Sequence, residues 1–374
     1  MRISEELPRE SEVPFPRKVT KTREKDMDFA GFIDPGDGRW VKMLKLSQHD
    51  FYHLPEYVSL AGEHENGHPT GFYAECGDSA MLIPVLVRRL PLHLSAPDHW
   101  CDISSPYGYP SPLYHPGTDR CPPHDFLKAL KETAFGIDAV CGFFRLHPLI
   151  PLSPEELHKQ GTLVRHGQTV IIDLQLSDEE IWRNTRGNHR DNILRLKGEG
   201  FTAIMDDWSR WDDFISLYHE TMDRLKASSC YCFSDSYFEK FRSALGPRLH
   251  LCTIFSPEGE VAASGLITAF HGIVQFHLAA TSTYYLDKAP SKLLFDSVRR
   301  WAQQNGERYL HLGGGVGGQN DSLFRFKAGF SKGRADFHTF RMIFNQDRYD
   351  QLVLQREDSA SEEDVHEFFP LYRK

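Results

Sequence analysis

The chain has 374 residues, more than one hydrophobic core serves efficiently, so two domains are expected, each large enough for a core of its own. It is 40% hydrophobic, and no apolar run approaches the roughly 20 residues that a membrane helix needs, which excludes a membrane span. A net charge of −9 counts against general nucleic-acid binding, although a local basic face can still hold a phosphate or an RNA end.

In chain order, residues 1–38 mix both charge signs with Pro8, Pro14, Pro16 and a PGDG turn, and read as an irregular lead-in. The segment MRISEELPRESEVPFPRK has no apolar h-region, so no signal peptide is read and a cytoplasmic protein is expected. A first unit over 39–165 follows. WVKMLKLS reads as a strand, FYHLPEYVSLAGEH as a helix, TGFYAECG and SAMLIPVLVRR as paired strands, HDFLKALKETAFG as a helix and AVCGFFRLHP as a strand. The seven cysteines include no CxxC pair, and their odd number argues against a closed disulfide framework. Reduced, mostly buried thiols are expected. The close pair Cys230 and Cys232 suits a strand or loop better than zinc, and no metal site is predicted.

A second unit is expected over 166–350, beginning with the strand TVIIDLQL. A helix over SDEEIWRNTRGNHRDNILRLKGEG leads to the strand FTAIMDD, then to helices WDDFISLYHETMDRLKA and SYFEKFRSALG. Strands LHLCTIF, VAASGLITAF and GIVQFHLAAT come next, the first two joined by the turn PEGE. The helix PSKLLFDSVRRWAQQNG starts at Pro290 and Ser291 and stops at Gly306. Tyr309 to Phe330 then joins a strand, a glycine-rich turn and a basic helix begun by Asp321, and KGRADFHTFRMIFN closes the unit as a strand pair. Residues 351–374 form an acidic tail, in which Glu357, Asp358, Glu362, Glu363 and Asp364 suit a solvated end.

This order of helices, antiparallel strands, helix, strand and terminal strands matches an α/β (α+β type) N-acyltransferase layout, two tandem GNAT-like domains with mixed sheets, better than an alternating βαβ fold. The strings WRNTRGNHRDNILRLKGEG, YHETMDR, FHLAATSTYYLDKAPSKLLFDSVRRWAQQNGERYLHLGGG and SLFRFKAGF resemble the FemABX peptidyltransferases and the wider FemAB-like GNAT group. FYHLPEY and CDISSPYGYPSP are similar to segments of the first domain of that group, so the resemblance spans roughly residues 40–350. It implies transfer of an aminoacyl group from aminoacyl-tRNA to an amine, with a muropeptide precursor or a small natural product as acceptor and no cofactor. No heptad run matches the coiled-coil arm of FemA-type members, so the armless FemX-like branch is the nearer likeness.

Gly313, Gly315 and Gly318 spell GxGxxG, but only 56 residues follow Gly318, too few for the further βαβ units of a dinucleotide fold. Gln319 and Asn320 stand where a P-loop has Lys and Ser or Thr. An acyl-CoA donor calls for a glycine-rich loop at TSTYYLDKAP, which has no glycine. Phe326 and Lys327 match the family's FK pair, which implies that Lys327 lies near the aminoacyl ester. A fixed ammonium there stabilises the tetrahedral oxyanion formed when an amine attacks. Asp102, Tyr107 and Tyr109 lie in a shaped loop expected to line the cleft, with Asp102 a candidate proton acceptor or a turn residue. Gly313, Gly314 and Gly315 let backbone approach the substrate. Arg224 resembles a position that holds the acceptor, and it also suits an ion pair with Glu220. Arg183, Arg186 and Arg190 at i, i+3 and i+7, extended by Arg325, Lys332 and Arg334, form a candidate face for the CCA end of tRNA or a solvated stripe. No GxSxG motif supports a serine hydrolase, and His277 and His311 on predicted strands read as core or cleft histidines. The leading expectation is an aminoacyl-tRNA-dependent aminoacyltransferase. The alternatives are an acyl-CoA N-acyltransferase and a non-catalytic protein that binds nucleotide-sugar or RNA.

Overall fold

The computed structural model describes residues 27–118, 121–228, 231–355 and 368–374. Its strands are β1 (Phe29–Ile33), β2 (His68–Cys76), β3 (Ser79–Arg89), β4 (Cys101–Ser104), β5 (Leu113–His115), β6 (Ala139–Arg145), β7 (Thr162–Asp173), β8 (Thr202–Met205), β9 (Leu249–Phe255), β10 (Val261–Phe270), β11 (Ile273–Thr281), β12 (Tyr309–Gly313) and β13 (Gly333–Ile343). All belong to one mixed sheet in the order β1-β2-β3-β4-β6-β13-β7-β12-β11-β10-β9-β8, with β5 beside β3.

The two halves of this sheet repeat one plan. In each, four strands run antiparallel in sequence, β1 to β4 and β8 to β11, and the fourth then pairs in parallel with the strand after a helical crossover, β4 with β6 and β11 with β12. A parallel pair cannot be joined by a hairpin, and the helices Pro123–Gly136 and Ser291–Gln304 supply the crossovers. Helix Pro123–Gly136 buries Phe126, Leu127, Leu130 and Ala134, and helix Ser291–Gln304 buries Leu294, Val298 and Ala302, each on one helical stripe facing the sheet.

The last strands exchange sides. β7 follows the first half in sequence but pairs with β12, whereas β13 at the end of the second half pairs with β6, and β7 and β13 pair with each other. An aromatic cluster adds to the joint: Phe51, Tyr52 and Tyr57 pack with Phe214, Tyr218, Tyr237, Phe238 and Phe241. The longest described helix, Trp211–Leu225, has 15 residues, and no described helix is long and apolar enough to cross a membrane.

Several elements depart from the sequence reading. WVKMLKLS is not a strand but part of the helix Gly38–Leu46, capped by the Asp37 carboxylate accepting from Arg39 N at 2.9 Å. Trp40 and Met43 are buried at a spacing of three while Val41 is exposed, the period of a helix and not of a strand. Within the lead-in, FAGFI forms the edge strand β1, and residues 1–26 lie outside the described residues. The helix expected over 177–200 is two helices, Asp178–Asn184 and Gly187–Gly198, separated where Thr185 Oγ1 donates to Phe330 O and Arg186 N donates to Gly329 O. The closing strand pair is the single strand β13. Cys76 and Cys121 are joined as a disulfide, against the expectation of reduced thiols, while Cys230 lies outside the described residues. The acidic residues of the tail also lie outside them, but its end, Leu371 and Tyr372, is buried instead of solvated.

Candidate active site

β11 and β12 pair only from Ile273 with Tyr309 to Gln275 with His311, and then part. At this opening β12 ends in Gly313, whose φ of +75° favours a residue without Cβ. A Cβ there would stand 3.2 Å from Lys327 Nζ and 3.8 Å from the Tyr109 hydroxyl, so the missing side chain leaves room for both groups. Asp321 shapes the next turn. Its carboxylate accepts from Val316 N at 2.9 Å and from Phe324 N at 2.8 Å, starting the helix Ser322–Lys327.

That helix returns Lys327 to the strand end, where Nζ donates to Gly314 O at 2.7 Å. The Gly314 backbone also hydrogen-bonds the Tyr109 hydroxyl, so one residue holds both side chains. Burial pushes the Lys327 ammonium down to about 8, with the Asp321 carboxylate opposing. The group is still mostly protonated at neutral pH. Burial pushes the Tyr109 phenol up to about 12, so it is a neutral hydroxyl there. The Tyr109 ring lies edge-on to His311 at 5.2 Å, to His147 at 6.0 Å and to Phe337 at 5.5 Å. An ammonium, a phenol and a bent glycine backbone thus meet at the splayed end of a parallel strand pair.

The sequence candidates divide into three groups. Gly313, Gly314, Tyr109 and Lys327 come together as described. Tyr107 lies nearby with its amide donating to Glu65 Oε1 at 2.8 Å and its ring 5.8 Å from Tyr231. Gly315 is placed by geometry, since a Cβ there would collide with Gln319 O and the Asp321 carboxylate. Phe326 packs between Phe295, Phe330 and His189, and its carbonyl accepts from His189 Nε2 at 3.0 Å.

Asp102 lies elsewhere. Its fully buried carboxylate accepts from Arg88 Nε at 2.9 Å, Tyr372 Oη at 3.1 Å and Arg373 Nε at 2.5 Å, an arrangement that ties the chain end to β3 and β4 and leaves no oxygen open to an incoming amine. Arg224 donates to Thr283 Oγ1 at 2.7 Å and lies 3.7 Å from Glu220.

Arg183, Arg186, Arg325 and Lys332 are exposed and Arg190 is half-buried. The helix break separates Arg183 from the helix that carries Arg190. Arg186 stays beside the Lys327 helix through its bond to Gly329 O. Lys292 joins this zone unannounced by the sequence: burial lowers its ammonium, and the charges of Arg195 and Arg186 lower it further. The turn Thr283–Lys288, where an acyl-CoA site needs free amides, has Thr283 N bonded to Glu220 Oε1 at 2.8 Å and Tyr285 N to Ser282 O at 3.1 Å.

No protein-family model and no curated protein matches the chain in sequence. Among solved structures, FemX aligns at 12% identity with a TM-score of 0.65, covering 87% of this chain and 100% of that one. L-PGS from Bacillus licheniformis aligns at 15% identity and a TM-score of 0.54, over 86% and 97% of the two chains. The C-terminal domain of a putative lysylphosphatidylglycerol synthetase from Agrobacterium fabrum aligns at 13% and 0.52, over 84% and 94%. With the repeated strand plan and the shared sheet, these alignments show that the chain has a FemX-like fold of two tandem GNAT-like units.

Proposed function

We propose that the protein is an aminoacyltransferase that moves an aminoacyl group from aminoacyl-tRNA to an amine and forms an amide. The observation that carries this reading is the half-buried Lys327 ammonium, fixed against Gly314 O at the splayed end of β11 and β12 in a FemX-like fold. The amine attacks the ester carbonyl, a tetrahedral oxyanion develops, and the ammonium stabilises it in a site from which water is largely removed. Holding an already activated ester beside the amine supplies much of the remaining acceleration.

A tRNA donor is favoured over acyl-CoA by the turn Thr283–Lys288, in which the Thr283 and Tyr285 amides are bonded within the protein where a pyrophosphate needs amides free. Arg186, Arg190, Lys292, Arg325 and Lys332 supply cations for the CCA end. Tyr107, Tyr109 and Arg224 are assigned to the acceptor side, for which the motif resemblance points to a muropeptide precursor or a small natural product.

The test is incubation with mixed charged tRNAs and a panel of candidate amines, with product identified by mass spectrometry. A new amide that disappears on RNase treatment is expected. Tight acyl-CoA binding with RNase-insensitive turnover overturns the reading in favour of an ordinary N-acyltransferase.

A further inference from the structure

Gln275 and His311 are neighbours on the last paired rung of β11 and β12, and a chain of buried hydrogen bonds runs through them. Leu149 N–H donates to His147 Nδ1 at 3.0 Å, so the proton of a neutral His147 sits on Nε2, which lies 3.0 Å from Asp50 Oδ2 and donates to it. Gln275 Nε2 donates to the same oxygen at 2.6 Å. The Asp50 carboxylate therefore fixes which way the Gln275 amide points. Its Oε1 is left facing His311 Nδ1 at 2.7 Å, and an amide oxygen can only accept, so the His311 proton sits on Nδ1.

The consequence is an Nε2 lone pair on His311 with no partner. His311 is fully buried, and its Nε2 has no hydrogen-bond partner in the structure. A buried acceptor left bare is costly to a fold unless another group comes to meet it. His311 is two residues before Gly313, its ring is 5.2 Å from the Tyr109 ring, and it lies close enough to Lys327 to feel that charge. A chain of three polar side chains, Asp50, Gln275 and His311, ending in an unpartnered basic nitrogen two residues before Gly313 has the logic of an oriented catalytic base.

Resting on the aminoacyl-transfer reading, we propose that His311 is a catalytic residue: its Nε2 takes the proton that the acceptor nitrogen sheds on attacking the ester carbonyl. The nitrogen lone pair forms the new C–N bond, the carbonyl electrons become the oxyanion opposite Lys327, and the ammonium proton of the adduct moves to Nε2. Collapse of the oxyanion breaks the C–O bond, and the imidazolium returns the proton to the leaving ribose oxygen. Gln275 and Asp50 are positioning residues that hold the Nδ1–H tautomer throughout. Burial, with the Lys327 charge adding to it, keeps the imidazole well below its ordinary value, so the base form is ready at neutral pH and the imidazolium gives its proton up readily.

Wild type, His311→Asn and Gln275→Leu are compared with charged tRNA and either the amine that scores in the RNase-sensitive screen or hydroxylamine. The hydroxylamine nitrogen is nucleophilic with little help from a base, and its hydroxamate is measured above the spontaneous rate. His311→Asn is expected to lose about 100-fold or more in kcat for the amine with KM little changed, while keeping most enzyme-dependent hydroxamate formation. Gln275→Leu is expected to lose kcat by a smaller factor, also with KM held. Should His311→Asn make neither product, the Gln275→Leu profile decides. An amine kcat within about threefold of wild type for His311→Asn, or a Gln275→Leu variant that changes KM alone, overturns the role of His311. Failure of the wild type to make amide from any charged tRNA overturns the aminoacyl-transfer reading itself.

Discussion

At the scale of single residues, Lys327 and Asp102 exchange the importance that their side chains suggest. A lysine on a short helix is ordinarily a solvated charge, yet this one is turned inward onto Gly314 O. Lys327→Met is expected to lower kcat by about 10²–10³, as for removal of one oxyanion donor, with an unchanged circular dichroism spectrum as the check on folding. In the proposed role only the protonated amine serves, and burial lowers its pKa to about 8, so turnover that depends on it is expected to decline as pH rises through about 8. Asp102 holds β3, β4 and the chain end together, so Asp102→Asn is expected to cost about 3 kcal/mol in denaturant titration while kcat of the folded enzyme stays near wild type. A kcat loss of 100-fold in that folded variant returns Asp102 to the catalytic machinery.

At the scale of elements, the turn and helix from Gly313 to Lys327 act as one device. Gly313→Ala puts a Cβ at φ +75° and 3.2 Å from Nζ, and is expected to cost about 1–2 kcal/mol and to lower activity by displacing the ammonium. Asp321 caps the helix and its charge raises the Lys327 pKa. Asp321→Ala is therefore expected to lower stability by about 1 kcal/mol and to move the alkaline limb of the pH–rate profile to lower pH, a shift read directly from kcat against pH. The helix break at Thr185 and Arg186 belongs to the same device, since both residues bond to the segment just after Lys327. The 3.6-residue pattern runs through this break unaltered, and the bonds that cause it come from residues about 145 positions away.

At the scale of the whole molecule, the exchange of β7 and β13 makes the two halves one body. Each half supplies its neighbour's strand, so neither completes its sheet alone. The end of the chain adds to this closure: Tyr372 is buried beside Cys141 and Asp102. Deleting residues 368–374 is expected to remove about 3 kcal/mol or more and to lower the melting temperature measured by calorimetry.

The amino-acid sequence by itself determined the succession of most strands and helices, the glycine turn and the lysine that follows it, because apolar periodicity, caps and glycine act over a few residues. It also carried the strings that resemble the FemABX group. It read WVKMLKLS as a strand, whereas in the helix Gly38–Leu46 packing buries Trp40 and Met43 at a spacing of three. The tertiary structure alone decided that Asp102 is a structural anchor and that Cys76 meets Cys121. It also decided that the Gln275 amide, held by Asp50, sets which nitrogen of His311 carries the proton. Those assignments depend on hydrogen bonds and contacts between residues 14 to 271 positions apart, such as Arg88 and Arg373 with Asp102 and Gln275 with His311, and no local pattern encodes which distant partner will accept a proton or a charge.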